Sequence, residues 1–178
     1  AHADQAVDAG IHRLARMLGT GHVAEHRAAI GVHRVHHAAR VAQAGDDEVA
    51  KLKAVNSFFN RHVQYAEDRD VWGQVDHWTT PLELLGRGAG DCEDFAIAKY
   101  FSLIAMGMAP AKMRMVYVRA QNGGVVQAHM VLAYYPEPDA EPLILDNLIT
   151  DMRPASRRPD LAPVFSFNAE GLWQGVGP

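Results

Sequence analysis

One cysteine in 178 residues stands where a glycine-rich segment gives way to an apolar helix, and this junction constrains the fold most. Residues 86–90 contain three glycines, which favour a loop with backbone angles that other residues avoid. Asp91 is a suitable helix N-cap, and Asp94 resembles the second acid of a capping box. Nearly every residue over 95–106 is apolar, so we expect this helix to be buried on most sides. Cys92 is therefore predicted to lie in the first turn of a central helix.

The first turn of a helix favours a thiolate over a thiol. Its backbone N–H groups have no partner within the helix, and the helix dipole places partial positive charge there. Cys92 is therefore a candidate nucleophile. The alternative is a structural role, because a free cysteine is usually a small, buried, apolar side chain. A lone cysteine does not decide between these roles, so the choice depends on its partners.

The composition excludes several classes of protein. With 48% hydrophobic and 21% charged residues, the chain is expected to be globular, and its length suits one domain or one domain with an extension. A formal net charge of −4 gives no reason to expect a nucleic-acid partner. No apolar run approaches the roughly 18 residues that a membrane span needs. The single cysteine excludes an internal disulfide and leaves the cellular compartment open.

Residues 1–45 differ from the remainder of the chain and are predicted to be a helical or poorly ordered extension. They are rich in alanine and hold seven of the ten histidines. Several of these histidines have the spacing of metal ligands on a helix face. They are His22, His26, His33, His36 and His37. No cysteine or paired carboxylate joins them, so a solvated histidine-rich helix is the favoured interpretation.

From residue 46 onward the sequence predicts helices first and strands afterwards. Acids at 46–48 open a helix whose apolar residues recur every three or four positions up to Val63. Residues 67–81 show no period and predict a long ordered loop. Strands are predicted over 113–119, 125–135, 143–148 and 164–167. Helices followed by strands predict an α+β fold with an antiparallel sheet.

A histidine and an aspartate on neighbouring strands are the candidate partners of the cysteine. If the proline-rich connection 136–142 closes a hairpin, the residue that faces His129 falls within 145–149, and Asp146 lies in that window. A carboxylate directly after an apolar strand is costly unless it has a partner. An imidazole N–H would be such a partner, and the other ring nitrogen would then be free to take a proton from a thiol. Cys92, His129 and Asp146 are therefore predicted to form a catalytic triad.

Two alternatives use the same three residues. A zinc site is disfavoured because a structural zinc normally takes four ligands, usually with more than one cysteine or histidine. A polar pair satisfied within the sheet would explain His129 and Asp146 without catalysis. That second alternative gives Cys92 no role, so the triad is the favoured interpretation.

Five segments of the chain form a recognisable set, and the one around the cysteine is the most specific. They are residues 55–60, 76–81, 88–100, 128–132 and 145–147. Together they resemble the bacterial transglutaminase-like cysteine proteinases of the LapG type. The resemblance implies a papain-like or transglutaminase-like domain over residues 46–178, with a helical lobe, an antiparallel β-sheet lobe and the active site between them. It matches Cys92 to the family's nucleophile, His129 to its base and Asp146 to its orienting acid.

The resemblance also implies a function, a compartment and partners. Family members are periplasmic and calcium-dependent, and they cleave the N-terminal region of a large surface adhesin at an Ala-Ala site, which releases cells from a biofilm. An inner-membrane cyclic-di-GMP receptor sequesters the protease when that messenger is abundant. Three alternatives stay open. They are acyl transfer or deamidation by the same triad, a calcium-binding module with an inert cysteine, and an inactive relative that only competes for the receptor.

Three acids adjoin the cysteine and are the candidate calcium ligands. Like charges oppose formation of a thiolate, and a bound dication would reverse that effect. Calcium accepts several oxygen ligands in irregular geometry. The resemblance matches Asp91 and Glu93 to the family's calcium ligands most directly, and Asp94 less directly. The alternative is that these acids only cap the helix and complement its dipole.

Trp78 is the candidate aromatic contact for substrate or partner. Its indole would supply an oxyanion donor beside the backbone N–H of Cys92, or its ring would anchor the regulatory receptor. The sequence leaves both roles open.

Overall fold

The computed structural model describes residues 47–174. The predicted extension over residues 1–45, with its histidines, lies outside the described residues, and the domain boundary at residue 46 stays a prediction. Helices occupy the first half of the described part, and a six-stranded antiparallel sheet occupies the second. The predicted α+β class is confirmed. A search of the described residues found no helix long and apolar enough to cross a membrane.

Within residues 47–174, four α-helices precede the large sheet. They are α1 (Glu48–His62), α2 (Asp68–Val71), α3 (Pro81–Arg87) and α4 (Cys92–Ala105). Two short strands, β1 (Gln64–Tyr65) and β2 (Ala89–Gly90), pair in parallel between them. This pairing brings the end of α1 beside the start of α4, because β2 leads directly into Asp91 and Cys92.

Side-chain caps set where these helices begin. The Asp47 carboxylate accepts hydrogen bonds from the first backbone N–H groups of α1. Thr80 and Glu83 form a complete capping box at α3, with Pro81 at the first helical position. The prediction of an irregular loop over residues 67–81 is therefore wrong in part, because α2 lies within it and Pro81 already belongs to α3.

The large sheet has the strand order β6-β5-β4-β3-β7-β8. Its strands are β3 (Met113–Asn122), β4 (Val125–Tyr134), β5 (Leu143–Leu145), β6 (Arg153–Pro154), β7 (Leu161–Asn168) and β8 (Gly171–Gln174). A tight hairpin joins β3 to β4, and its turn residues Gly123 and Gly124 have positive φ angles of 57° and 83°. The predicted strand over residues 143–148 ends earlier, at Leu145, because the Asp146 side chain bonds the next two backbone N–H groups.

Helix α4 lies at the centre of the fold and packs against α1, α3 and β4. Ten of its fourteen residues are buried, which confirms the prediction of a helix buried on most sides. The largest fully buried apolar side chains around it come from both halves of the chain. They are Leu52, Phe59, Leu84, Ile97, Tyr100, Leu103, Met113, Met115, Leu132 and Phe167. This packing fixes the first residue of α4 against the middle of β4.

Candidate active site

Cys92 is the first residue of α4, and its side chain is enclosed. The residue is 8% exposed, and its Sγ atom donates to Oε2 of Glu93 at 2.8 Å. The backbone N–H of Met130 on β4 lies against the same sulfur. The thiol therefore contacts β4 at Met130, the residue that follows His129.

Burial raises the pKa of the Cys92 thiol well above its usual value, and the charge and hydrogen bond of Glu93 raise it further. The charge of Asp91 acts in the same direction, and the N–H of Met130 opposes it. Burial and the neighbouring acids therefore both oppose a thiolate at this position. A thiolate at this position requires additional positive charge nearby.

His129 and Asp146 form a buried hydrogen-bonded pair. His129 is 3% exposed and Asp146 is 1% exposed, and Nε2 of the imidazole lies 2.7 Å from Oδ1 of the carboxylate. Because an ionised carboxylate only accepts hydrogen bonds, Nε2 carries the proton and Nδ1 keeps its lone pair. The structure brings these two predicted residues together, and it leaves Nδ1 free of the carboxylate.

The Asp146 carboxylate has a second charged partner, Arg158, which the sequence analysis did not identify. Nη2 of Arg158 lies 2.7 Å from Oδ2 of Asp146. Burial alone would raise the pKa of Asp146, but the hydrogen bond and charge of His129, together with the bond from Arg158, lower it to about 2. Asp146 is therefore ionised at any pH near neutrality.

Two asparagines of α1 hold the segment that contains Asp146. Nδ2 of Asn60 donates to the backbone oxygen of Asp146 at 2.7 Å, and Nδ2 of Asn56 donates to the backbone oxygen of Thr150 at 2.8 Å. Since residues 146–152 belong to no strand, these bonds replace the sheet in fixing the backbone there.

A second cluster of carboxylates lies beside the cysteine. Oxygen atoms of Asp68, Asp91 and Asp94 all lie within 4.8 Å of one another. Asp68 comes from the first turn of α2 and was not among the predicted metal ligands. Glu93, which was predicted, is outside this group, and its carboxylate accepts from Cys92 instead.

Burial and nearby negative charges raise the proton affinity of the three clustered acids. Burial, followed by the charges of Glu93 and Asp94, raises the pKa of Asp91 to about 9. Burial also raises the pKa of Asp94 to about 6, although hydrogen bonds from Thr79 lower it, and burial raises that of Asp68. Such a cluster requires bound protons or a cation to be stable.

Unpaired oxygens show that the cluster fits a metal ion. Oδ1 of Asp94 accepts from the backbone N–H and the hydroxyl of Thr79, at 2.8 and 2.7 Å. Its Oδ2, like Oδ1 of Asp68, is buried and has no hydrogen-bond partner among the described residues. A Cβ atom at Gly90 would come within 2.5 Å of that Oδ2, so glycine keeps the space beside it open. Buried, unpaired carboxylate oxygens are the ligands that a hard cation such as calcium prefers.

The predicted capping box at α4 is incomplete. The Asp91 side chain accepts from the backbone N–H of Asp94 at 3.4 Å, which is one half of the motif. Asp94 does not reciprocate, because its carboxylate bonds Thr79. Asp94 therefore links α4 to the segment that carries Trp78, rather than closing the helix end.

Trp78 lies partly buried at the edge of the core. Its ring stacks on Phe167, with ring centroids 6.1 Å apart and an angle of 19° between the planes. The tryptophan is thus held by a side chain of β7 on one face. Its predicted contact with substrate or partner stays a prediction.

Comparisons with known proteins agree with this fold. The sequence model of the family described as "Bacterial transglutaminase-like cysteine proteinase BTLCP" matches residues 24–159, beginning before the predicted boundary at residue 46. Among solved structures, Legionella pneumophila LapG is 41% identical, with a TM-score of 0.63, covering 80% of this chain and 88% of that one.

Two further structures of the same Legionella pneumophila protein are similar to the chain. A calcium-bound LapG is 40% identical, with a TM-score of 0.64, and covers 80% of this chain and 88% of that chain. An EGTA-treated LapG is 41% identical, with a TM-score of 0.63, and covers 80% and 86%. A comparison with curated proteins gave no match. Since the family match spans well over half of the sequence, the chain belongs to the bacterial transglutaminase-like cysteine proteinases and is a protease.

Proposed function

We propose that the chain is a calcium-dependent periplasmic cysteine endopeptidase that cleaves the N-terminal region of a large biofilm adhesin at an Ala-Ala site. Its activity would be controlled by an inner-membrane cyclic-di-GMP receptor. The observation that carries the peptidase proposal is the buried pair of His129 and Asp146. His129 lies on β4 directly before Met130, whose backbone N–H contacts the Cys92 sulfur. The adhesin, the receptor and the compartment are supported by the resemblance to proteins of the LapG type.

The proposed reaction is attack by the Cys92 sulfur on a peptide carbonyl. Nδ1 of His129 takes the thiol proton and then donates it to the leaving amine, which breaks the peptide bond and forms a thioester. His129 next takes a proton from a water molecule as its oxygen attacks the thioester carbonyl. The C–S bond then breaks, the carboxylic acid product leaves, and the Cys92 sulfur regains a proton from His129. Asp146 holds Nε2 of the ring throughout, so the imidazole stays in one tautomer.

The first turn of α4 supports this chemistry through its backbone. The N–H of Cys92 precedes the first intrahelical hydrogen bond and is suited to bind the developing oxyanion. A second donor is required for an efficient oxyanion hole, and the Trp78 indole is the candidate that the sequence offers.

Calcium would be held by Asp68, Asp91 and Asp94, with Glu93 as an additional predicted ligand. When bound, the ion supplies the positive charge that the Cys92 environment requires for a thiolate. The calcium-bound structure of Legionella pneumophila LapG supports the proposal. Each of the three clustered acids can offer an oxygen, and Asp68 and Asp94 each have a buried oxygen with no protein partner among the described residues.

The surface before His129 is open to a protein substrate. Residues 125–128 of β4 are exposed, and burial of the strand begins at His129. Strand β5 pairs with β4 only at positions 132–134, so it does not cover this segment. A polypeptide can therefore approach the imidazole along the exposed part of β4.

The direct test is cleavage of an adhesin N-terminal fragment that contains an Ala-Ala site. With calcium we expect two products cut at that site, and with a chelator we expect the rate to fall by about a hundredfold or more, because the acids then oppose the thiolate. The measurement is product formation by gel and mass spectrometry, with an added primary amine in a parallel reaction.

Other products would identify the alternatives. Incorporation of the amine in place of water would support acyl transfer by the same residues. An intact fragment, from protein shown to be folded and calcium-loaded, would favour the calcium-binding module or a relative that only competes for the receptor. Cleavage that persists unchanged in the chelator would contradict the proposed role of calcium.

The acidic cluster predicts a pH dependence of calcium stabilisation. The pKa values of about 9 for Asp91 and about 6 for Asp94 lie above the ordinary carboxylate value of 3.8, so the calcium-free fold binds protons more tightly than the unfolded chain. Its stability from these groups is present below about pH 4 and is lost as pH rises through 6 and 9. Calcium should therefore raise the melting temperature more at about pH 8 than at about pH 5, by at least about 4 °C.

Thermal melts with calcium and with EGTA at both pH values test this expectation. The EGTA melts are the internal control, because the calcium-free melting temperature should be lower in the alkaline buffer than in the acid buffer. An equal calcium shift at both pH values would show that protonation of these acids does not compete with the ion.

A further inference from the structure

We propose that Arg158 is a positioning residue of the active site, which holds the plane of the Asp146 carboxylate in the rotation that directs one oxygen at His129. The inference rests on the proposed function, since it gives Arg158 a role in cysteine protease chemistry. Arg158 lies twelve residues after Asp146, beyond β6 and a 3₁₀ turn (Ala155–Arg157).

Both oxygens of Asp146 are fully engaged, each with different donors. Oδ1 accepts from Nε2 of His129 at 2.7 Å and from the backbone N–H groups of Asn147 and Leu148 at 2.6 and 3.1 Å. Oδ2 accepts from Nη2 of Arg158 at 2.7 Å. The two oxygens are chemically equivalent, so what these contacts fix is the rotation of the carboxylate plane. A rotation of the plane away from this position would lengthen the bond to Arg158 together with the bond to His129. The guanidinium therefore helps to keep one oxygen directed at the imidazole.

Arg158 is itself held by Asp160 and by a backbone hydrogen bond to Ala155, so it can fix the position of the Asp146 carboxylate. Its side chain is 1% exposed. Asp160 accepts from Nε at 3.0 Å and from Nη2 at 2.7 Å, and the backbone N–H of Arg158 donates to Ala155 at 2.9 Å. One guanidinium nitrogen thus bridges two carboxylates. Planar guanidinium groups suit such a bridge because their donors have fixed directions.

Because Arg158 carries a charge beside Asp146, its removal should shift the pH profile of the reaction, and the loss of a purely structural residue would not. Three cationic or potentially cationic side chains face the carboxylate, namely Arg158, His129 on β4 and Lys99 on α4, and Asp160 is the nearby second anion. When the Arg158 charge is removed, less positive charge competes with the imidazolium for Asp146. The imidazolium then becomes more favourable, and the limb of the pH profile set by the His129 proton moves to higher pH.

The test compares Arg158→Met, Arg158→Lys and the neighbouring Arg157→Met in the full chain with calcium. We expect Arg158→Met to lower kcat for the adhesin fragment by about a hundredfold with little change in KM, because a small misplacement of the base is costly. Its pH profile should shift upward, while Arg158→Lys keeps the position of the profile and loses less than about tenfold in rate. Arg157 is exposed and is the matched control, with an expected change within about twofold.

Imidazole ¹⁵N NMR of His129 in the same proteins tests the inference without reliance on cleavage. The wild type should show one tautomer with a proton on Nε2, and Arg158→Met should show exchange between tautomers. Wild-type protein that does not cleave the fragment would overturn the proposed function, while the NMR comparison still decides the role of Arg158. If Arg158→Met fails to fold, Arg158→Gln, which keeps a donor without the charge, takes its place. An unchanged tautomer and pH profile in a folded, neutral variant would overturn the inference.

Discussion

Replacement of Cys92 with alanine is expected to lower cleavage of the adhesin fragment by at least about four orders of magnitude. Cys92 is the only thiol of the chain, so no other cysteine can take over the nucleophilic step. The hydrogen bond from His129 to Asp146 does not involve the sulfur, and it should survive the substitution. Any residual rate would come from substrate binding and oxyanion stabilisation alone. Single-turnover cleavage with calcium measures the loss.

Ser102→Ala is the matched control for this substitution. Ser102 lies on the same helix and is 8% exposed, as Cys92 is, and its change to alanine also removes one polar atom from a small side chain. We expect its cleavage rate to stay within about threefold of the wild type. Circular dichroism melts of both variants separate loss of chemistry from loss of fold. A folded Cys92→Ala protein that still cleaves the fragment would show that the sulfur is not the nucleophile.

The central helix and the hairpin geometry could be read from the sequence because both depend on local patterns. Glycines followed by an apolar run predict the start of α4, and the structure begins this helix at Cys92. The proline-rich connection after β4 limits which residues of the next strand can approach His129, and Tyr134 indeed pairs with Leu143. Proximity of His129 and Asp146 follows from this short-range register.

Helix α3 carried a readable signal that the sequence analysis did not use. Thr80, Pro81 and Glu83 have the spacing of a capping box with proline at the first helical position, and the structure forms both hydrogen bonds of that box. The absence of hydrophobic periodicity over residues 67–81 predicted a loop instead. Cap residues were therefore more informative here than the absence of hydrophobic periodicity.

Arg158 and Asp68 could not be found in this way, because their partners are fixed only by the tertiary fold. Asp68 precedes Asp91 by 23 positions, and a two-stranded parallel pairing of β1 with β2 brings them together. Arg158 reaches Asp146 across a strand and a turn. No period or spacing rule links such residues, and a charged residue is most often a solvated one.

Asp68 and Glu93 are both candidates to complete a calcium site with Asp91 and Asp94. Oxygen atoms of Asp68, Asp91 and Asp94 lie within 4.8 Å of one another, whereas the Glu93 carboxylate lies outside this group, beside Asp91. The sequence and the family resemblance predicted ligands at 91, 93 and 94, and the structure adds Asp68 from α2 to the candidates. The Glu93 carboxylate also accepts from the Cys92 sulfur. The two acids should therefore respond differently to neutralisation.

Asp68→Asn is expected to weaken calcium binding by about a hundredfold or more, and Glu93→Gln by less than about tenfold. Asparagine keeps one side-chain oxygen to accept from the backbone N–H of His77, so the contact between Asp68 and that segment can persist. It also removes one charge from a crowded cluster, and the calcium-free variant should melt no lower than the wild type. Competition with a calcium chelator of known affinity measures the binding.

Asp70→Asn is the matched control, since Asp70 lies on the same short helix as Asp68 but is exposed and outside the cluster. Its calcium affinity should stay within about twofold of the wild type. Equal losses for Asp68→Asn and Glu93→Gln would restore Glu93 as a ligand, and a large loss for Glu93→Gln alone would mean that the ion lies on the sulfur side of α4. The expected pattern has a mechanistic consequence, because it leaves Glu93 free to interact with the Cys92 proton while the ion offsets the remaining negative charge.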